Sequence, residues 1–231
     1  MTKKIFGSVG LVLALGCVGF SSSALAGDYP CPPNRGAVTI DGNIVVKSAC
    51  TLNGTYVKGN VLVYSGGSLR ATGARIDGNI QAKDAVSVTV TNTEVDGDIQ
   101  LENLRGTAPS SVTQSTVNGN IQLKSNRQSV TVVNNEVDGD IQLEGLRSTT
   151  EGSITDNTVK GNIQLKSNYL PLSMERNDVD GDVQAFSNRA NPLRISGNRI
   201  DGNLQCKSNN PAPTGSNNTV SGNKEDQCRR L

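Results

Sequence analysis

Acidic pairs around a single glycine are the most regular chemical feature of this 231-residue chain: Asp96/Asp98, Asp138/Asp140 and Asp180/Asp182. Carboxylates so placed could serve calcium, a hard cation that takes six to eight oxygen ligands. If the chain is built of stacked repeats, Asp77 falls beside Asp96 and Asp180 beside Asp201, with no Asn or Lys between them. Asp77, Asp96, Asp98, Asp180, Asp182 and Asp201 are therefore the candidate calcium ligands, and no other cofactor is expected. The competing reading makes them bend residues with solvated carboxylates. A base to accompany such a site is harder to find. Arg70, Arg75, Arg105, Arg147, Arg176, Arg189, Arg194 and Arg199 read as scattered, and no catalytic residue is assigned. The chain has no His, which excludes an imidazole base, His-ligated zinc and Ser-His-Asp triads.

Two further sets of residues stand out. Glutamines recur in one phase, and Gln100, Gln122, Gln142, Gln164 and Gln184 form the candidate binding face. Cys31 and Cys50 lie 19 residues apart, and Cys206 and Cys228 lie 22 apart. Each separation is about one repeat, so stacking would bring each pair within disulfide reach. The other two connectivities would join opposite ends of the stack. Zinc would need closer ligand spacing. The pairs read as staples for an oxidising compartment.

The elements that must position these residues are set by a repeat. An apolar, polar, Gly, Asn/Asp, apolar, Gln, apolar phrase recurs around Gly42, Gly59, Gly78, Gly97, Gly119, Gly139, Gly161, Gly181, Gly202 and Gly222, at intervals of 17 to 22 residues. A period near twenty is a solenoid signal. Short alternating runs such as Val86-Ser87-Val88-Thr89-Val90, separated by Gly, Asn and Ser, make each repeat a coil of short strands rather than helices. Val130, Val132, Val137, Ile141 and Leu143 are the inward positions of one coil, and Ile154, Val159, Ile163 and Leu165 of the next. A few such side chains, at about 1.5–3 kcal/mol each when buried, cannot offset the ordering of about twenty residues at about 1–2 kcal/mol apiece. The coils must fold as an array. The expected fold is all-β, a parallel β-solenoid of about ten coils over residues 38–222, with an N-terminal cap at 27–37 and a C-terminal cap at 223–231.

A longer period lies above the first. Residues 95–136 align without gaps to 137–178, with 24 of 42 positions identical. The doubling shows in the outward columns. Five residues after each Gly the chain reads Lys83, Glu102, Lys124, Glu144, Lys166, Phe186 and Lys207. One residue after Gly it alternates Asn79, Asp98, Asn120, Asp140, Asn162, Asp182 and Asn203. Alternation avoids facing like charges on neighbouring strands. The Gln column needs none, because a carboxamide can donate upward and accept downward. Asn135, Asn157, Asn177, Asn198 and Asn218 form another column, read as bend residues that tolerate the left-handed conformation.

Stacked asparagines at a bend resemble the ladders of the right-handed parallel β-helix group, the pectin-lyase-like superfamily, over residues 38–222. The C-terminal run from Gly202-Asn203-Leu204-Gln205-Cys206 to Cys228 is similar to uncharacterised secreted bacterial repeat proteins. The first resemblance implies handedness and an alternative function, a polysaccharide-modifying lyase, hydrolase or epimerase with an acidic calcium cluster. The second implies a family without an established activity.

Composition narrows the partners. Lys and Arg total 22 against 21 Asp and Glu, for a net charge of +1, and phosphate-backbone binding needs a basic surplus, so no nucleic acid is expected. Aromatics are 3%, too few for broad aromatic interfaces. Residues 1–26 read as a secretory signal peptide: Lys3 and Lys4, an apolar stretch, then Ala24-Leu25-Ala26. Ala14-Leu15-Gly16-Cys17 puts Ala where a lipoprotein box usually carries Leu, so lipid anchoring through Cys17 is not expected. Cleavage leaves no transmembrane helix. The expectation is a secreted monomer, periplasmic or extracellular. It is a non-catalytic structural or binding element at the cell envelope or outside the cell, contacting an extracellular polysaccharide or another envelope protein.

Overall fold

A computed structural model of the protein describes residues 27–231; the expected signal peptide, with Lys3, Lys4, Cys17 and Ala24–Ala26, lies outside them. The described chain winds into a parallel β-solenoid of about nine turns, close to the ten coils expected. Its strands form three parallel sheets of eleven, eight and ten members. In a representative coil, Ile121–Lys124 belongs to the eleven-stranded sheet, Val130–Val133 to the eight-stranded sheet and the two-residue strand Glu136–Val137 to the ten-stranded sheet. Alternation sends every second side chain inward. Val130, Val132, Val137, Ile141, Leu143, Ile154, Val159, Ile163 and Leu165 are all buried, as their phase in the repeat predicts. Stacking sets like on like, with Ile121 between Ile99 and Ile141 and Leu123 between Leu101 and Leu143.

Three corners close each coil, by two devices. At the corner entering the eleven-stranded sheet, the repeat glycine approaches the coil below so closely that a Cβ on Gly139 would lie 2.5 Å from Asn120 Oδ1 and 2.7 Å from the Gly119 carbonyl oxygen. The other two corners place one residue at positive φ, for example Ser125 (55°) and Asn134 (56°). This corrects the expected role of the asparagine column. The left-handed residues are Asn134, Asp156, Arg176, Gly197 and Asn217, each one position before the column. Asn135, Asn157, Asn177, Asn198 and Asn218 themselves turn inward and are buried. The bend conformation points their amides at backbone groups that the corner removes from the ladder. Asn157 Oδ1 accepts from the Asn135 backbone N–H (3.0 Å) and Nδ2 (2.9 Å), while its own Nδ2 donates to the Val132 carbonyl (2.9 Å) and to Asn177 Oδ1 (2.9 Å).

The outward charge alternation is present in register. Glu102 pairs with Lys83 on one side and Lys124 on the other, and Glu144 with Lys124 and Lys166. Ion pairs form at Lys83–Glu102 (3.5 Å) and Lys166–Glu144 (4.0 Å), between side chains 47–69% exposed. Exposed pairs are worth about 0.2–1 kcal/mol each. Replacing both Glu102 and Glu144 by Lys is therefore expected to lower stability modestly at low salt, with the loss shrinking as salt is added. An unchanged unfolding midpoint at low ionic strength would show that the alternation has no stabilising role.

The segments expected as caps each add a strand to the eleven-stranded sheet. Gly27–Cys31 pairs with Gly42–Val46, and Lys224–Asp226 with Leu204–Cys206. Both expected disulfides are present, with Cα–Cα distances of 5.5 Å for Cys31–Cys50 and 5.2 Å for Cys206–Cys228. They do not join directly stacked partners, because Cys31 faces Val46 and Cys206 faces Asp226 in register. Cys31–Cys50 instead ties the outermost strand of the eleven-stranded sheet to that of the eight-stranded sheet, across a corner. Closing a loop of about twenty residues is worth about 3 kcal/mol on the chain-entropy estimate. Terminal coils have a neighbour on one side only. Reduction is thus expected to speed hydrogen exchange in the first and last coils before the coils around Gly119 to Gly161 loosen. Equal loosening along the whole rod would refute the staple role.

Candidate functional site

The six candidate calcium aspartates fall into two different settings. Asp98 and Asp182 belong to a ladder that runs through the corner beside the repeat glycine. Asp98 Oδ1 accepts from the Asn120 backbone N–H (2.7 Å) and Nδ2 (3.0 Å), and Asp182 Oδ1 accepts the same two bonds from Asn203 (2.7 and 3.2 Å). The ladder also runs through consecutive asparagines, Asn60 donating to Asn43 and Asn79 to Asn60, but two aspartates cannot adjoin in it, for a reason beyond charge. A carboxylate offers acceptors only, so a neighbouring carboxamide has to supply the side-chain N–H.

Asp77 and Asp96 do stack, but a cation from the chain already bridges them. Arg75 Nε lies 3.1 Å from Asp77 Oδ1, and its Nη1 and Nη2 lie 3.0 Å from Glu94 and 3.2 Å from Asp96. The Tyr56 hydroxyl donates to Asp77 Oδ2 at 2.6 Å. That hydrogen bond, with the Arg75 guanidinium, holds the Asp77 carboxyl below the usual carboxylate range, and the same contact pushes the Tyr56 phenol up. At the second acid pair Arg199 reaches Asp201 (2.9 Å) together with Asp178 (2.8 Å), while Asp180 enters no ion pair among the described residues. Among the described residues no group of three or more His, Cys, Asp or Glu side chains is arranged to hold a metal ion. At Asp77, Asp96 and Asp201 an incoming ion would have to displace a guanidinium. Calcium is therefore expected to leave the thermal midpoint where magnesium leaves it. A calcium-specific rise would show that the carboxylates exchange arginine for the ion.

The glutamines lie side by side on the outer surface of the eleven-stranded sheet, Gln81, Gln100, Gln122, Gln142, Gln164, Gln184 and Gln205 pairing in unbroken register. They do not form one continuous amide ladder. Gln81 donates to Gln100 and Gln184 to Gln205, both at 3.1 Å. Gln100 and Gln142 donate instead to Asp98 and Asp140 of their own coils, at 3.2 Å. The aspartate two residues earlier offers these two a charged acceptor, whereas Gln184, with Asp182 in the same place, donates along the row to Gln205. Toward the N-terminal end the row turns apolar, with Leu62 in register with Gln81. There Tyr64, 48% exposed, borders a shallow concavity with Gln81, Lys83, Gln100 and Glu102.

Two features escaped the sequence reading. A second buried amide column, Asn126, Asn168, Asn188 and Asn209, caps the corner between the eleven- and eight-stranded sheets. Its Nδ2 groups donate to the carbonyls of Leu101, Leu143, Leu165 and Ala185. The arginines, read as scattered, are also partly ordered: Arg105, Arg127, Arg147 and Arg189 each directly follow a buried residue of this corner. The signal was present in the shared phase of Glu102-Asn103-Leu104-Arg105, Lys124-Ser125-Asn126-Arg127, Glu144-Gly145-Leu146-Arg147 and Phe186-Ser187-Asn188-Arg189. Each of these arginines lies eight residues after its repeat glycine, and Tyr169 takes that place in the intervening coil.

Among the described residues no helix is long and apolar enough to cross a membrane. No protein-family model, no curated protein and no solved structure matches the chain.

Proposed function

We propose that this protein is exported and acts, as a monomer and without catalysis, as a structural or binding element at the cell envelope or outside the cell. The observation that carries the reading is the in-register glutamine row, flanked by alternating Lys and Glu, across successive coils of one sheet face. Parallel strands repeat every 4.7–4.9 Å or so, so this face offers amide donors and acceptors at a fixed interval along a straight line. A linear polar polymer can use such a row one unit at a time. Tyr64 adds an exposed ring for the apolar face of a sugar at the N-terminal end of the row. The two disulfides support an oxidising compartment.

The test is co-sedimentation and glycan-array binding of the mature protein, comparing wild type with Gln122→Ala/Gln164→Ala. The wild type is expected to retain a neutral or acidic extracellular polysaccharide, and the double variant to lose it. Retention unchanged by the double variant would remove the glutamine face from the function. The same polysaccharides, incubated with and without calcium, are assayed for unsaturated-product absorbance and new reducing ends. Turnover there would establish the alternative, a polysaccharide-modifying enzyme.

A further inference from the structure

On the glutamine face, positive and negative side chains alternate from coil to coil. At the next corner the opposite occurs. Arg105, Arg127, Arg147, Tyr169 and Arg189 occupy equivalent positions on five successive coils. Each backbone N–H donates to the residue in the coil below that precedes the equivalent position: Arg127 to Leu104 (2.9 Å), Arg147 to Asn126 (2.8 Å), Tyr169 to Leu146 (2.9 Å) and Arg189 to Asn168 (2.7 Å). All five side chains are exposed. Arg105 is paired with Asp84 at 3.4 Å. Among the described residues Arg127, Arg147 and Arg189 enter no ion pair. The nearby acids in the alternating column, Glu102 and Glu144, are engaged by Lys83 and Lys166.

Cations stacked at a strand spacing repel one another, and nothing in the fold requires arginine at an exposed corner position. The arrangement is also ordered. The Arg147 guanidinium lies over the Tyr169 ring, 4.5 Å from its centroid, which fixes its plane. Between Arg127 and Arg147 the surface is hollowed on both sides. Asn103 and Ser125 line one hollow, and Ser148, Thr149 and Tyr169 the other. The guanidiniums supply paired N–H donors with fork geometry. The serine, threonine and asparagine groups supply donors from other directions. A planar carboxylate uses one fork. A tetrahedral oxyanion uses a fork together with donors from the sides.

We propose that this corner is a binding site for a linear glycan carrying sulfate or phosphate esters, its successive charges lying along the arginine column. The site is separate from the glutamine face, so its failure would leave the proposed function standing. The test is binding of the mature protein to dextran sulfate and to phosphomannan at low salt. Polygalacturonate and a single-stranded oligodeoxynucleotide serve as comparators. At least one of the two ester-bearing glycans is expected to bind roughly tenfold or more tighter than either comparator, and which one binds identifies the ester; the affinity should fall as salt rises. Arg127→Gln/Arg147→Gln, at exposed positions, is expected to keep the wild-type circular dichroism and thermal midpoint. It should lose roughly tenfold or more in affinity, because bidentate guanidinium contacts are among the stronger charge-assisted hydrogen bonds. Lys124→Gln/Lys166→Gln removes the same charge from the neighbouring face and is expected to bind within about twofold of wild type, because net charge alone acts through long-range steering. An equal loss in the lysine variant, no binding by the wild type, or equal binding of polygalacturonate or the oligonucleotide would each overturn the proposal.

Discussion

Gly139→Ala is expected to destabilise the protein by about 3 kcal/mol, the upper part of the range for overpacking a filled site. The sign is the informative part. At a site whose conformation suits alanine, the same substitution stabilises by about 0.4–1 kcal/mol, because it restricts the unfolded chain. At Gly139 the added methyl would meet Asn120 Oδ1 at 2.5 Å and the Gly119 carbonyl oxygen at 2.7 Å. Neither can turn away. Asn120 Oδ1 accepts the Asp140 backbone N–H at 2.8 Å, and the Gly119 carbonyl accepts the Gly139 N–H at 3.1 Å. Relieving the clash therefore means opening the ladder between two coils. Gly36, where a Cβ would meet nothing within 4 Å, is the control. Chemical denaturation should show Gly139→Ala unfolding well before wild type and Gly36→Ala at or slightly above it. Equal midpoints for the two variants would mean that the coil spacing is soft enough to admit a Cβ.

The repeat glycines were legible in the sequence because the recurring phrase centres on them. So were the inward columns, the charge alternation and both cysteine pairs, all of which depend only on counting residues between coils. What the sequence concealed depends on direction rather than count. Asn135 and Asn134 are adjacent asparagines, and only the backbone shows that Asn134 takes the bend while Asn135 turns inward. In the same way, Asp77 and Asp96 were correctly placed side by side. That Arg75 would lie across them follows from its outward position two residues before Asp77, on a strand too short to carry it elsewhere. The arginine column was open to counting as well, since each member lies eight residues after its repeat glycine. Arg105, Arg127, Arg147 and Arg189 are separated by 22, 20 and 42 residues, as are Gly97, Gly119, Gly139 and Gly181, with Tyr169 in the intervening coil.

The buried amide ladder carries the second large expectation. Asn157→Ala should cost on the order of 4 kcal/mol, since each buried donor or acceptor left unpaired costs about 1–3 kcal/mol. The substitution strands the Asn135 backbone N–H and one Asn135 Nδ2 hydrogen, and takes the side-chain donor from the Val132 carbonyl. Asn177 Oδ1 keeps the bond from the Asn157 backbone N–H at 3.1 Å but loses the one from Nδ2. Water cannot reach these groups, as Asn135, Asn157 and Asn177 are at most 3% exposed. The column itself supplies a graded control. Two coils toward the N-terminus, Ser115 fills the same position; its hydroxyl oxygen accepts the Thr93 N–H at 3.2 Å and its O–H donates to the Thr113 carbonyl at 2.8 Å. Asn157→Ser can make the same pair of bonds, so it should lose roughly half as much as Asn157→Ala. Asn157→Asp keeps the shape but has no N–H to give and buries a charge, and it should be at least as damaging as alanine. Unfolding midpoints ranked wild type, Ser, Ala, with Asp at or below Ala, would establish that hydrogen bonding rather than side-chain volume holds this corner. If Asp proves milder than Ser, shape alone is what the column requires.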